Sequence, residues 1–372
     1  MARVWFVLTT WATLWSLLQV PGGMYSWHYF ATGAGALSRL GSAGGGLHVY
    51  AVHPELQMGP LALLSAITIT AAGGSASAAL GALVMTALGL MSIWLLVAAA
   101  GSVRGQPPSP RSTLLVGLPL MPVWAVLSVH YGHLDDALAM SLTTAALCAL
   151  IRDRPWLATM LVAAAGAAKP WALPFALILL AHPVNRARRV SAFVALSALA
   201  WMPFLLADPS TLQRLGSFVI TNAPDSALRA LGIQAATTPP WDRAAQLCFA
   251  AAFALWCVRI GRPVAVPAIA LAVRLLLDPG TYPYYTASLL LAVTCVDLLQ
   301  RWYRSVPWLT LSVATWFIFS ITVATELPAA VVGTSRAIFL AGLIAYLTMY
   351  GAGRNEFPWG AHRTRHRQPV ET

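Results

Sequence analysis

Three stretches of the 372-residue chain, and one isolated lysine, carry the side chains that could do acid–base or anion-binding chemistry. In LHVYAVHPELQMGPL (47–61), His48, His53, Glu55 and Gln57 follow one another through a polar loop, and Glu55 is the only acid before residue 135. A carboxylate with a histidine two positions away can serve as general base on a hydroxyl, with Gln57 placed to bind beside it. In YGHLDDALAM (131–140), His133, Asp135 and Asp136 stand where a polar gap becomes an apolar run. Two acids at a helix start are also ordinary caps, favoured by the free amides and the dipole. One carboxylate is enough for a cap, however, and the histidine adds a second ionisable type. In VRLLLDPGTYPYYT (273–286), Arg274 and Asp278 are four apart and a Pro-Gly turn leads to Tyr282, Tyr284 and Tyr285. The pair can close on itself, and the tyrosines can be an interfacial belt, or all of them can face a ligand.

Lys169 is the one lysine beside twenty-two arginines, and GAAKPW sets it at a break imposed by Pro170. A lone cation at such a break suits a phosphate-bearing ligand; a lysine snorkelling to the interface is the plainer reading. His28 lies in SWHYFATGAGALSRL, which can form an amphipathic helix along a membrane surface. The GSAGGG run that follows has no GK[ST] and reads as a linker rather than a phosphate loop. His48 and His53 do not close a metal-ligand set. No metal and no cofactor are expected.

The elements that position these residues are apolar. Hydrophobic residues make up 58% of the chain and charged residues 9%, far below the charge content of a soluble globular domain. Most apolar stretches run about 16 to 22 residues, the length of a helix that crosses a hydrocarbon core. They do not alternate, which disfavours a β-barrel. The chain is therefore expected to be an all-α polytopic membrane protein, with one transmembrane domain over 1–350 and a basic, disordered cytoplasmic tail over 351–372. Spans are expected at 4–20, 59–100, 114–131, 135–151, 156–168, 171–182, 190–206, 243–259, 263–277, 283–299, 307–324 and 330–350, about twelve crossings. The four cysteines sit in or beside apolar runs without CxxC pairing and read as small buried hydrophobes.

A net charge of +11 would suggest nucleic acid in a soluble protein. Here the arginines sit in short gaps between apolar runs, a matter of topology, and no nucleic-acid partner is expected. With both termini cytoplasmic, the inner gaps hold Arg152, Arg154, Arg186, Arg188, Arg189, Arg259, Arg262, Arg301 and Arg304. The outer gaps hold Glu55, Asp135, Asp136, Asp208, Asp225, Asp242, Asp278 and Glu326. To put Arg104 and Arg111 inside as well, the tract 59–100 must cross once, with part of it tilted or re-entrant.

The layout resembles the GT-C fold of polyprenyl-phosphate-sugar-dependent glycosyltransferases. It is most similar to the actinobacterial and GPI-type mannosyltransferases of glycosyltransferase family 87 and its relatives. The likeness rests on a first span and long outer loop closing on HPELQMGPLALL, on GHLDDALAM opening a helix, on AAAGAAKPW, and on DPGTYPYYTASLLLAV. It covers roughly residues 4–300. The resemblance implies a membrane-embedded site that takes a sugar, mannose foremost, from a polyprenyl-phosphate donor and passes it to a glycolipid or cell-envelope glycan acceptor on the extracytoplasmic face. It implies Glu55 as base with Asp135 or Asp136 as second acid or acceptor binder, and Lys169 and Arg274 holding the donor phosphate. His28, His53, Gln57, His133, Asp278, Tyr284 and Tyr285 would line the substrates. Where the family usually has an aspartate soon after the first span, this chain has Ser26, Trp27 and His28. The competing class is a non-enzymatic transporter or flippase for lipid-linked glycans, or a relative that has lost catalysis. A transporter tends to show repeated, matching broken helices, and no such symmetry is visible.

Overall fold

Each apolar segment folds as a helix because only an internally hydrogen-bonded backbone is tolerated where water is absent. A computed structural model describes residues 1–39, 41, 44–300 and 306–349. The described residues are all helical apart from connections and one isolated antiparallel bridge between Thr221 and Thr237. Six helical stretches are long and apolar enough to cross a membrane: Pro60–Arg104, Pro110–Tyr131, Leu134–Ile151, Arg186–Ala207, Trp308–Glu326 and Ala329–Met349. Four shorter apolar helices join them: Pro155–Ala168, Pro170–Ala181, Pro263–Leu277 and Tyr285–Leu299. The other two expected spans are α1 (Ala2–Gln19) and the helix Asp242–Arg259; the latter opens on the polar run Asp-Arg-Ala-Ala-Gln. Arg301, Arg304 and the basic tail lie outside the described residues.

Between α1 and the first long stretch come α2 (Trp27–Ser38) and the single turn α3 (Val49–Val52), then α4 (Pro60–Gly73) and α5 (Ser77–Arg104). α2 turns an apolar stripe inward and leaves His28, Tyr29 and Ser38 exposed. It buries Trp27, Phe30, Gly33, Ala34, Ala36 and Leu37, and Gly33 sits so close to α4 that a Cβ there would come 2.6 Å from Leu63. α6 (Pro110–Ala125) continues as a π-helical turn, Val126–Tyr131, and α7 (Leu134–Ile151) follows. The spanning window of α7 is 83% buried and that of α9 (Arg186–Ala207) only 6%, so α7 is the centre of the bundle and α9 lies at its rim.

α5 runs in the same direction as α7, with Ser92 against Ser141 at 3.1 Å and, further along both, the Cys148 thiol facing the Leu95 carbonyl. At the head of the tract, the Gly59 amide donates to the Ala168 carbonyl at 2.8 Å. At its tail, Arg104 donates to the carbonyl of Leu298. The whole 60–104 tract therefore connects opposite ends of the bundle, with Gly74 at φ +51° supplying the bend between α4 and α5.

The remaining elements are α8 (Pro155–Ala168), a twelve-residue 3₁₀ helix Pro170–Ala181, α9, α10 (Thr211–Ser217), α11 (Ala227–Ala230), α12 (Asp242–Arg259), α13 (Val266–Leu277), α14 (Tyr285–Leu299), α15 (Trp308–Thr322) and α16 (Ala329–Met349). Most of the acids gather at one set of helix ends, although Arg214, Arg229 and Arg243 lie there too and Asp153 lies at the other. Asp135 and Asp136 start α7, Asp208 follows α9, Asp242 starts α12, and Asp278 follows α13. At the other ends lie Arg152 and Arg154 after α7, Arg186, Arg188 and Arg189 at the start of α9, and Arg259 and Arg262 after α12.

Candidate functional site

The carboxylate-rich end is built by three interruptions of helix. The first is the π turn 126–131, which widens the end of α6 and leaves three carbonyls to be satisfied from elsewhere. The loop after α1 does this: the amides of Met24, Tyr25 and Ser26 donate to the carbonyls of Val129, His130 and Tyr131 at 2.6, 3.0 and 2.7 Å. Gly132, at φ +69°, then reverses the chain, and a Cβ there would come 3.0 Å from the Met24 sulfur. His133 and the two acids of α7 emerge from this reversal.

The second interruption is Lys169. Pro170 forces the residue before it out of the helical region, and Lys169 is extended (φ −146°, ψ 116°). Its ammonium lies on Asp135 Oδ2, with Asp136 Oδ2 at 3.8 Å. Two residues on, the indole Nε1–H of Trp171 donates to Asp136 Oδ1 at 3.1 Å. The third interruption is the Asp-Pro-Gly turn after α13. Arg274 pairs with Asp278 Oδ2 at 2.9 Å, one helical turn away as the spacing allows. Its guanidinium also lies over the rings of Tyr285 (4.5 Å) and Trp171 (5.4 Å). Trp171 thus touches both halves of the site, Asp136 and Arg274.

Aromatic rings connect this centre to the surface. Tyr284 is 7% exposed and stacks on His133, with centroids 3.8 Å apart and an 18° tilt. Tyr131 and Tyr285 pack against Tyr284 at 4.9 and 4.7 Å. Tyr282 stacks on it from outside at 5.6 Å and is 44% exposed. The wall therefore runs from solvent-facing Tyr282 to His133, whose side chain is 14% exposed.

Asp135 and Asp136 are buried, at 1% and 2% exposure. His133 Nε2 shares a hydrogen bond with Ser26 Oγ at 3.1 Å. Its Nδ1 lies 3.5 Å from Asp135 Oδ1 and 3.4 Å from Asp136 Oδ2. Neither His133 Nδ1 nor Asp136 Oδ2 has a hydrogen-bond partner, though both atoms are buried. The acids bond chiefly to side chains rather than serving as caps: among their bonds, only Asp135 Oδ1 accepting the Asp136 amide at 2.9 Å serves the helix end.

The opening loop arrives beside this centre but bonds elsewhere. Glu55 pairs with His53 at 3.0 Å and its side chain is 40% exposed. Gln57 donates to the Pro54 carbonyl at 2.6 Å, and His28 pairs with the Tyr25 carbonyl at 2.9 Å on the surface. What ties the loop to the site is Gly59, whose amide bond to Ala168 leaves no room for a side chain. A Cβ would lie 2.1 Å from the Ala167 carbonyl oxygen. Tyr50, fully buried, donates to the Met58 carbonyl at 3.1 Å and braces the same loop.

The segment 207–242 closes the rim. Asp225 accepts from the Thr281 hydroxyl at 3.2 Å and pairs with Arg336 at 3.5 Å, and the Ala223 amide donates to the Pro279 carbonyl at 2.9 Å. Asp208 is held below the usual carboxylate range, first by the Ser210 hydroxyl at 2.7 Å, then by its amide, with His48 at 3.4 Å. Ser26, Tyr131 and Trp171 belong to the centre and escaped the sequence reading. Trp171 had a local signal, standing directly after Lys-Pro, whereas Ser26 and Tyr131 meet His133 only through the π turn. Searches of protein-family models, characterised proteins and solved structures returned no match for this chain.

Proposed function

We propose that the chain is a GT-C-type integral-membrane glycosyltransferase that moves a sugar, mannose foremost, from a polyprenyl phosphate to a glycolipid or cell-envelope glycan. In this reading all twelve apolar helices cross or enter the membrane, both termini are cytoplasmic, and the carboxylate-rich end faces the extracytoplasmic side. The observation that carries the reading is one convergence. Two buried carboxylates, a histidine, the only lysine and Arg274 meet behind an aromatic wall at one end of an apolar bundle.

Inverting transfer needs a base for the acceptor hydroxyl and positive charge for the departing lipid phosphate. Glu55 is assigned as the base on the acceptor side; it is partly exposed, pairs with His53, and lies on the loop that Gly59 ties to Ala168. The acceptor oxygen then bonds to the anomeric carbon as the bond to the phosphate oxygen breaks. The proton ends on Glu55 and the electron pair on the lipid phosphate. Lys169 and Arg274 supply positive charge to that phosphate, and the exposed ring of Tyr282, backed by Tyr284, gives the sugar an apolar face to lie against.

The test is transfer from radiolabelled polyprenyl-phosphate mannose in membranes carrying the chain. Transfer is expected with the native sequence and is expected to fall at least a hundredfold in Glu55→Gln and in Asp135→Asn at equal expression. Full activity in both variants would remove the carboxylate mechanism.

A further inference from the structure

We propose that His133, Asp135 and Asp136 form a binding site for a divalent metal ion of the Mn²⁺ or Zn²⁺ class. Metal uptake is a property of the side chains themselves and stands apart from sugar transfer. Among the described residues, these three bring one donor atom each to within 4.8 Å of one another. The inward atoms are His133 Nδ1, Asp135 Oδ1 and Asp136 Oδ2, with the nitrogen 3.5 and 3.4 Å from the two oxygens. Ligands bound at about 2.1 Å stand about 3.0 Å apart at a right angle and about 3.4 Å apart in a tetrahedron, so the two imidazole-to-carboxylate separations already match that spacing.

The second observation is independent of that spacing. Two of the three inward atoms, His133 Nδ1 and Asp136 Oδ2, are buried and lack any hydrogen-bond partner. Asp136 is 2% exposed. A buried carboxylate oxygen without a hydrogen bond is costly; the Lys169 ammonium stands 3.8 Å from this one, and a cation between it and the imidazole would give both atoms a direct ligand bond.

The outward atoms are the reverse case, for each is held by a separate group. Ser26 Oγ shares a hydrogen bond with His133 Nε2, the Lys169 ammonium sits on Asp135 Oδ2, and the Trp171 indole donates to Asp136 Oδ1. This is the arrangement in which outer contacts orient metal ligands and fix their free lone pairs. One imidazole with two carboxylates suits Mn²⁺ or Zn²⁺ better than Ca²⁺, which takes oxygen throughout. Three protein ligands leave coordination positions open. Two carboxylates, Lys169 and a divalent ion sum to +1, so the loaded site would draw an anion, which is where a lipid phosphate would be held if the proposed transfer is correct.

The experiment uses the full chain in detergent, stripped with a chelator and dialysed, and titrated with Mn²⁺ while the free-ion EPR signal is followed. One Mn²⁺ per chain is expected, displaced by Zn²⁺. Pulsed EPR of the loaded native protein is expected to show coupling to one imidazole nitrogen. Affinity should fall at least tenfold in Asp136→Asn and in His133→Gln, and about 10- to 100-fold in Trp171→Phe, which removes the outer donor while keeping a ring beneath Arg274. Glu55→Gln, outside the site, should bind as the native chain does. Uptake of neither ion, or Mn²⁺ without imidazole coupling, overturns the site, the second marking an adventitious ion only. The native-chain measurement decides the matter even where a variant aggregates on size-exclusion chromatography. Metal binding without sugar transfer would leave this site standing and remove the transferase reading; transfer that survives complete stripping would separate the two the other way.

Discussion

At the scale of single residues, Lys169 governs the electrostatics of the buried end. Among the described residues it is the one lysine or arginine that pairs with Asp135 and Asp136, and its side chain is 15% exposed. Removing one partner of a buried pair leaves an uncompensated charge and costs about 3–5 kcal/mol, whereas replacing both partners by apolar groups costs far less. Lys169→Met is therefore expected to lower the thermal midpoint in detergent, and Lys169→Met with Asp135→Leu to recover part of that loss. A double variant no more stable than the single one would show that the pair does not act as a unit. Arg274 differs, because it combines an ion pair with two ring faces. Arg274→Lys keeps the charge but loses the planar stack on Trp171 and Tyr285. The expected outcome is a drop in activity larger than the drop in thermal midpoint, read by assaying transfer and melting on one preparation. Residue types were legible in the sequence at this scale: the acid pair, the lone lysine and the Arg-Asp turn were each visible. Their partners were not, because Lys169 reaches Asp135 across 34 positions through a contact that only packing creates.

At the scale of elements, the site depends on helices that stop being α-helical. The 3₁₀ helix Pro170–Ala181 rises about 2.0 Å per residue against 1.5 Å for an α-helix. Twelve residues therefore cover about 24 Å instead of about 18 Å. Pro170 and Pro174 each lack the amide that an α-helical register would use. The sequence marked Pro170 as a break but gave no sign that the helix beyond it is of another type. It gave no sign of the π turn at 126–131 either, since neither departs from ordinary apolar composition. The loop 53–59 offers a direct test of positioning. Gly59→Val places a side chain where the Ala167 carbonyl already sits, so the loop must lift from α8 and carry Glu55 with it. Hydrogen exchange at residues 53–59 is expected to rise while exchange in α7 stays unchanged, and transfer activity is expected to fall. Unchanged exchange at the loop would show that the Gly59 contact does not hold it.

At the scale of the whole molecule, the apolar segments read from the sequence coincide with helices, for example 135–151 with Leu134–Ile151 and 243–259 with Asp242–Arg259. Length and hydropathy fix that much because a helix in lipid must satisfy its own backbone. They do not fix which segments span, and six of the twelve meet the length and composition of a crossing. Charge supplies the next step. The arginines at 152–154, 186–189 and 259–262 share one end of the bundle, and the acids at 135, 136, 242 and 278 share the other. Inserting the bundle with the arginine end outward would oppose the positive-inside tendency of short loops, so the acid-rich end is expected to face outward. Cysteine labelling decides it. In a background with the native cysteines replaced, including exposed Cys248, Leu47→Cys tests the acid-rich end and Ala187→Cys the arginine end, both at exposed positions. Position 47 is expected to react with a membrane-impermeant maleimide on intact cells, and position 187 only after permeabilisation. The reverse pattern would put the buried acids, Lys169 and the aromatic wall on the cytoplasmic face. The donor would then have to be presented from the cytoplasmic leaflet, and the extracytoplasmic acceptor would be excluded.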